Sequence, residues 1–427
     1  MTRLTAFRCV ASRTGFVKLY KKVTDINSRK ILVDLFKAYY TARKNKRKTK
    51  SSLSFEINYE KNLLELGEKI MNGTYTIGQS ICFISFKPLQ REIFAADFRD
   101  RIVHHFIYNY VSPVFERSFI NDSYSCRIGR GTSYGVKRLN HFIRSCSKNY
   151  HSDCYILKLD IKGYFMSIDK NILYKKVEAK ILDFKGKCGF DKVWLLELVH
   201  KIIFHDPTKN CVIKGKRTDW QGLPKSKSLF FAGEKKGLPI GNLTSQLFGN
   251  VYLDDFDHFV RYGLGCGYYG RYVDDMVIVH NDKEYLKSVI PKIREYLKNE
   301  LELELHPKKI YLQHYSKGVV FLGTIIKPYR MYVCHRTKSN FNDKIQRWNK
   351  FIGNTERHLG GFAGGHVMKI DKRSLEHFLT GTNSYLGVFK HCNTYKMRRK
   401  MLTISLSKLT QKYFYFSAGY DKINIRL

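Results

Sequence analysis

An α+β fold built on a mainly antiparallel sheet is predicted by three observations. Strand-like and helix-like patterns alternate through the middle of the chain, a strand there ends on a carboxylate, and two later strand pairs are joined by turns short enough for hairpins. With 427 residues, 43% hydrophobic and 14% aromatic, the chain can bury a large core and divides into two or three lobes. Its eight prolines and scant low complexity leave little scope for long linkers, and no internal repeat is present.

The elements follow in order. Helical spacing over residues 31–42 precedes the basic run Arg43-Lys44-Asn45-Lys46-Arg47-Lys48-Thr49-Lys50, an exposed loop that is either a solvated surface segment or a phosphate contact. A second helix covers 59–71. Tyr155-Ile156-Leu157-Lys158-Leu159-Asp160-Ile161 reads as a strand with Asp160 at its end, followed by the turn Lys162-Gly163-Tyr164-Phe165 and a helix from near Asp169. Apolar residues at helical spacing, including Leu247, Val251, Phe256 and Phe259, predict one helix over 243–262, which leads through a glycine-rich link to a hairpin holding Tyr272-Val273-Asp274-Asp275. Another helix spans 284–300, a short strand covers 303–305, and a second hairpin starts within 318–326. Beyond residue 327 the pattern is helical, with Arg398-Arg399-Lys400 interleaved with Tyr385, Phe389, Tyr395, Tyr413 and Phe414.

Charge narrows the function. Lys and Arg number 76 against 37 Asp and Glu, a net +39 with pI near 9.8, so a polyanionic partner is expected and nucleic acid comes first. No apolar run approaches the roughly 20 residues that span a bilayer, and the first thirty residues mix basic and polar side chains without an apolar core, so a cytoplasmic location is expected. The ten cysteines are scattered without C-x-x-C spacing, which predicts reduced, mostly buried thiols rather than a zinc site or a disulfide framework.

Asp274 and Asp275 sit between Gly270-Arg271 and the apolar run Met276-Val277-Ile278-Val279. Paired carboxylates beside buried strands would neutralise unless a cation held them ionised, and Mg²⁺ suits a few carboxylate oxygens completed by water and phosphate. Asp160 placed opposite that turn makes a three-carboxylate cluster suited to two-metal nucleotidyl transfer. Asp254-Asp255 is another acidic pair, but it lies inside the amphipathic helical stretch and is assigned to a solvated face. Gly129, Gly131 and Gly135 do not match a dinucleotide loop.

In this order the motifs resemble those of reverse transcriptases. Asp160-Ile161-Lys162-Gly163-Tyr164-Phe165 is similar to the first catalytic motif, Tyr272-Val273-Asp274-Asp275 to the Y-x-D-D box, and Phe321-Leu322-Gly323 to the primer-grip hairpin. Lys87-Pro88-Leu89-Gln90-Arg91 and the stretch from Ser123 to Gly131 resemble fingers motifs, and Leu305-His306-Pro307-Lys308-Lys309 the lysine motif after the box. Leu238-Pro239-Ile240-Gly241-Asn242-Leu243-Thr244-Ser245-Gln246 has Ile240 where most of the family has glutamine and Ser245-Gln246 where many have Ser-Pro. Those departures are shared by the reverse transcriptases of diversity-generating retroelements, and the likeness extends through Gly222-Leu223-Pro224, Lys227-Ser228-Leu229-Phe230 and Asn383-Ser384-Tyr385-Leu386-Gly387.

The resemblance implies a right-hand polymerase: a basic extension over 1–50, fingers and palm over 51–326, and a helical thumb over 327–427. It implies catalysis by Asp160, Asp274 and Asp275 with two Mg²⁺ ions, Mn²⁺ being the alternative, and with the Ile161 carbonyl as a further ligand. Lys87, Arg91, Phe165, Ile240, Gly241 and Lys309 would meet the nucleotide, Phe165 blocking a ribose 2′-OH, although Lys308 offers the same charge as Lys309. By spacing alone Phe165 and Ile240 read as core residues. The implied activity is error-prone copying of a template-repeat RNA into cDNA, with mutation opposite adenine, in company with a small basic pentameric accessory protein. A group II intron-type or other bacterial reverse transcriptase of ordinary fidelity, and a non-catalytic RNA-binding maturation factor, are the alternatives.

Overall fold

The computed structural model describes residues 26–44, 46–86, 89–186, 191–358 and 371–426. Lys87, Pro88, Asn45 and residues 1–25 of the basic N-terminal stretch lie outside them. Twelve strands are described: β1 (Ser80–Ser85), β2 (Arg91–Ala95), β3 (Tyr155–Asp160), β4 (Cys211–Ile213), β5 (Tyr268–Tyr272), β6 (Asp275–His280), β7 (Tyr311–His314), β8 (Val319–Phe321), β9 (Thr324–Lys327), β10 (Arg330–Val333), β11 (Phe414–Phe416) and β12 (Ile423–Ile425). They form a four-stranded antiparallel sheet in the order β5-β6-β3-β7, a three-stranded β10-β9-β8 meander, a β11-β12 ribbon, and a β2-β1-β4 sheet in which β1 pairs β4 in parallel. The α+β expectation holds, with that single parallel pairing as the exception.

The four-stranded sheet carries the main core because alternate side chains of β3 and β6 leave it on opposite faces. Leu157, Leu159, Met276 and Ile278 pack toward the helices Phe98–Glu116, Lys170–Asp183, Leu243–Tyr252 and Lys283–Leu301. Ile156, Val277 and Val279 face the helix Thr132–Cys146 and the β8-β9 hairpin, through Leu139, Phe142, Phe321 and Ile326. Helix starts are fixed where the sequence placed them: Asp169 accepts from the Asn171 and Ile172 amides at 2.8 and 2.9 Å, and Asp282 from the Glu284 amide at 2.7 Å. Within the stretch 1–50, the helix Ile26–Arg43 contributes Leu32, Leu35 and Tyr39 to the main core.

Three local expectations are corrected. The helix over 243–262 is broken into Leu243–Tyr252, Asp254–His258 and a π-helical turn Phe259–Gly263. The break turns Asp254 and Asp257 inward, so Asp254 is buried and its carboxyl is pushed up by burial; only Asp255, beside Lys176, lies on a solvated face. Residues 303–305 give a bridge from Leu305 to Ile161 rather than a strand, and the edge strand is β7. Finally, of the eight described cysteines, all free, Cys82, Cys154 and Cys266 are buried, four are half-buried and Cys126 is exposed.

Past β10 a second core gathers Phe341, Ile345, Trp348, Phe378, Phe389 and Phe414 from the helices His335–His358 and Lys372–Phe389 and the β11-β12 ribbon. The ribbon adds strand to a region expected to be helical, and Phe389 and Phe414 are spent on packing.

The inward turn of Asp257 meets a fully buried cation of the sheet, Arg271. Arg271 on β5 has no exposed side-chain surface and donates from Nε and Nη2 to the two Asp257 oxygens at 2.7 and 2.6 Å, while Tyr269 donates to the same carboxylate at 2.6 Å. Burial alone would lower the guanidinium pKa, but Asp257 outweighs it and holds the group above its ordinary value. A third donation, from Nη1 to the Val273 carbonyl at 3.0 Å, reaches the turn that carries Asp274. Replacing Arg271 by Met leaves Asp257 buried without its cation, and about 3 to 5 kcal/mol of stability is expected to go. Denaturant titration checks this; a loss below about 1 kcal/mol would show the pair is not a keystone.

Candidate active site

Register brings the carboxylates together. Asp160 closes β3 and Asp275 opens β6, and the two are direct partners across the antiparallel pair. Tyr272 is Asp275's partner on the other side, so Val273 and Asp274 alone make the turn. A two-residue hairpin of this kind uses left-handed backbone, and Val273 takes it with φ 58° despite its branched Cβ. The Arg271 bond to the Val273 carbonyl holds that costly conformation in place.

The charges are arranged around Asp274. Its carboxyl is pushed up to about 6, first by burial and then by the negative charge of Asp160, with Asp275 adding and Lys309 opposing. Lys309 Nζ contacts both oxygens of Asp160 at 2.9 and 3.0 Å, and Lys158 Nζ lies 3.1 Å from Asp275 Oδ1. Asp160 and Asp275 are thus ion-paired with lysines, and the electrostatic load of the cluster falls on Asp274. Lys158 was missed in the sequence, although its position two residues before Asp160 puts it on the same strand face. Among the described residues no three His, Cys, Asp or Glu side chains converge as a metal-holding group, and Asp160 and Asp275 are each engaged by a lysine.

Three of the nucleotide candidates, Phe165, Ile240 and Gly241, lie near β2. Phe165 is half-buried over Gly249, where a Cβ would stand 3.2 Å from its ring, and shares an apolar patch with Ile240, Cys82, Phe94, Met166 and Leu229. The Ile240 carbonyl accepts from the Phe94 amide at 2.8 Å. Gly241 follows with φ 134°, and a Cβ there would lie 2.8 Å from the Phe94 carbonyl, so only glycine lets this loop lie against β2. Arg91, exposed at the start of β2, is close enough to act on Tyr272, whose hydroxyl is pushed up by burial and by Cys126 and partly brought back by Arg91. Lys87 cannot be placed, being outside the described residues. Ile161 is buried next to Asp160 and bridges Leu305.

One support had no sequence signal of its own. Glu92 on β2 is buried and accepts from Trp220 Nε1 at 2.7 Å, Ser228 Oγ at 2.8 Å and the Leu229 amide at 2.6 Å, which ties the Trp220–Phe230 segment beside Phe165. The turn of the candidate primer grip is another two-residue hairpin, Leu322 with φ 48° and Gly323 with φ 81°, and Leu322 packs toward Tyr124 and Phe142.

Asp274 yields a pH-dependent outcome. Between about pH 4 and pH 6 the folded protein keeps a proton on Asp274 that the unfolded chain has released, so its contribution to stability falls as pH rises and is fully unfavourable above about 6. Asp274→Asn is therefore expected to stabilise the metal-free protein by up to about 3 kcal/mol at pH 8 and to make little difference near pH 4. Thermal melts across that range check it, and equal gains at both ends would contradict it.

Against known proteins, the family described as "Reverse transcriptase (RNA-dependent DNA polymerase)" matches residues 89–326. Protein YkfC of Escherichia coli (strain K12) is 24% identical over 257 residues, covering 53% of this chain and 60% of that protein. A COX1/OXI3 intron 2 protein of Saccharomyces cerevisiae is 23% identical over 295 residues, covering 58% of this chain and 32% of that protein. Among solved structures, telomerase from Candida albicans in complex with a TWJ fragment of telomeric RNA aligns at 13% identity with a TM-score of 0.45, covering 84% of this chain and 60% of that chain. The chain spans less than two thirds of the length of the curated relatives it matches. The matched stretch exceeds half the chain and contains Arg91, Asp160, Phe165, Ile240, Asp274, Asp275 and Lys309, and the chain belongs to the reverse transcriptase family.

Proposed function

We infer that this protein is an RNA-templated DNA polymerase whose nucleotidyl transfer runs on Asp160, Asp274 and Asp275. The observation that carries the reading is the register that sets Asp160 opposite Asp275, with Asp274 beside them carrying an uncompensated charge. The donor set fits a hard divalent cation, since oxygen ligands crowded enough to raise Asp274 gain most from one. Asp160, Asp274 and the Ile161 carbonyl would hold it once Lys309 leaves Asp160. Such an ion supplies Lewis-acid stabilisation of the phosphoryl oxygens and lowers the pKa of an attacking hydroxyl. Lys309 is then free for the triphosphate, joined by Arg91 and, from the segment beside it, Lys87.

Phe165 is assigned as the steric gate against a ribose 2′-OH, with Ile240 and Gly241 forming the floor of the nucleotide pocket and Phe321, Leu322 and Gly323 gripping the primer. Residues 51–326 are assigned to fingers and palm, 327–427 to the thumb, and 1–50 to a basic N-terminal stretch. Phe165→Ala is expected to leave deoxynucleotide incorporation within a few-fold while raising ribonucleotide incorporation at least tenfold, about 1.4 kcal/mol of lost discrimination. Competition between dNTP and rNTP in single-nucleotide extension measures it.

The finer reading is a diversity-generating retroelement enzyme that makes adenine-mutagenised cDNA from a template-repeat RNA, working with a small basic pentameric accessory protein. Ile240 and Ser245-Gln246 support it, and the apolar patch around Ile240 offers the nascent pair little polar checking. The enzyme and accessory protein are both basic, so RNA bridging or apolar contact would join them.

Primer extension on a defined RNA template with Mg²⁺ and four dNTPs, with the cDNA sequenced, tests both levels. Errors are expected to concentrate opposite adenine, and Asp274→Ala is expected to lower extension at least a thousandfold. Accurate cDNA would move the protein to an ordinary bacterial reverse transcriptase. Failure to form cDNA with cognate RNA and accessory protein present would favour the non-catalytic RNA-binding reading.

A further inference from the structure

The helix Thr132–Cys146 buries Val136, Leu139, Phe142 and Ile143 against the sheet, which leaves its other face to solvent. That face carries Lys137, Asn140, His141 and Arg144, at positions i, i+3, i+4 and i+7, and Lys148 extends the same line one turn beyond the helix. Together with Asn149 these residues line a concave recess of about 480 Å³ with no carboxylate in its wall. Arg144 donates to Asn149 Oδ1 at 3.0 and 3.2 Å, so a neutral amide, not an acid, orients the guanidinium.

The backbone past the helix is unusual. Lys148, Asn149 and Tyr150 are three consecutive non-glycine residues in the left-handed region, with φ of 50°, 57° and 75°. Such residues cost of order 1 kcal/mol or more each and gather at functional sites. Two consequences follow from their geometry. The amides of Ser147, Lys148 and Asn149 cover the carbonyls of Ile143, Ser145 and Arg144, which removes the exposed negative helix end that would repel an anion. The Tyr150 ring is also brought against Tyr315 and Tyr329, at centroid distances of 5.6 and 4.7 Å, and Tyr329 is 77% exposed.

We propose that this cationic recess and the adjoining tyrosines form an RNA-binding site outside the catalytic cleft, the cations taking successive backbone phosphates and the exposed ring of Tyr329 offering a stacking surface for an unpaired base. Cations tracking a backbone beside aromatic faces are the general means of holding single-stranded nucleic acid. The position is remote from the chemistry: Tyr155, beside the tyrosine cluster at β3's start, is about 17 Å from Asp160 at its end, by the rise of an extended strand. One acid, Asp153, lies at the tyrosine edge near His314 and marks a border of the surface. At the other edge, Lys390 and Lys137 both act on His391, so the positive stripe continues toward the second core. The proposal rests on the polymerase reading only for the identity of the polyanion, and its binding assay does not require catalysis.

The test compares two RNAs on the full-length protein. The triple variant Lys137→Ala/Arg144→Ala/Lys148→Ala is expected to bind a structured RNA of about 100 nucleotides at least tenfold more weakly, with a log-log salt slope shallower by about 2. Extension of a short primer-template is expected to stay within twofold. Unchanged affinity for the long RNA would overturn the site, and an equal loss on the short primer-template would put the stripe in the catalytic cleft instead. Should the triple variant fail to fold, ultraviolet crosslinking of 4-thiouridine RNA to the unmodified protein decides: adducts on the peptides holding Tyr150 or Tyr329 are expected, and their absence counts against the proposal.

Discussion

The buried Arg271–Asp257 pair is the constraint on which the candidate site depends. A left-handed Val273 is unfavourable by itself, and the two carboxyls that follow repel each other and Asp160. The guanidinium spends two donors on Asp257 and one on the Val273 carbonyl, so the cost of burying a charge is met by the same group that fixes the turn. Arg271 also exchanges backbone bonds with Asp122 and Tyr124, 2.9 Å each, which ties the hairpin to the Ser123–Gly131 segment. Strain at Val273 is therefore borne by contacts well below the reacting surface.

Above that base the charges are balanced so that a ligand can change them. Lys309 neutralises Asp160 and Lys158 neutralises Asp275, while Asp274 is left to rise toward neutrality. A divalent cation and a triphosphate would exchange partners with these groups, the metal replacing Lys309 on Asp160 and the phosphates receiving the lysine. The same economy bears on how a chain of net charge +39 folds: among the described residues most cations are on the surface, and Arg271, which is fully buried, is paired with Asp257.

The apolar side of the site, around Phe165 and Ile240, depends on backbone proximity. Glu92 gathers three donors, from Trp220, Ser228 and Leu229, to hold the Trp220–Phe230 segment, and Gly241 lets the Ile240 loop hydrogen-bond to β2. Phe165 and Ile240 thereby share one apolar patch, so the packing role and the pocket role of these residues are compatible rather than exclusive. A side chain can be part of a core on one face and floor a pocket on the other.

Local pattern alone determined the strand ending on Asp160, the hairpin that carries Asp274 and Asp275, the Asp169 cap and the β8-β9 hairpin, because alternation, turn chemistry and caps are written in neighbouring residues. Composition likewise determined the net charge of +39 from which a polyanionic partner is expected. Only the tertiary structure decided that Asp254 is buried and Asp255 exposed, since a π-helical break in the predicted helix changes which side chains face inward. It alone paired Arg271 with Asp257, Lys158 with Asp275 and Glu92 with Trp220, contacts set by register between elements far apart in the chain. Such pairings have no local signature: a lysine on a strand or an acid in a helix acquires its partner only when the sheet has formed and fixed the distance between them.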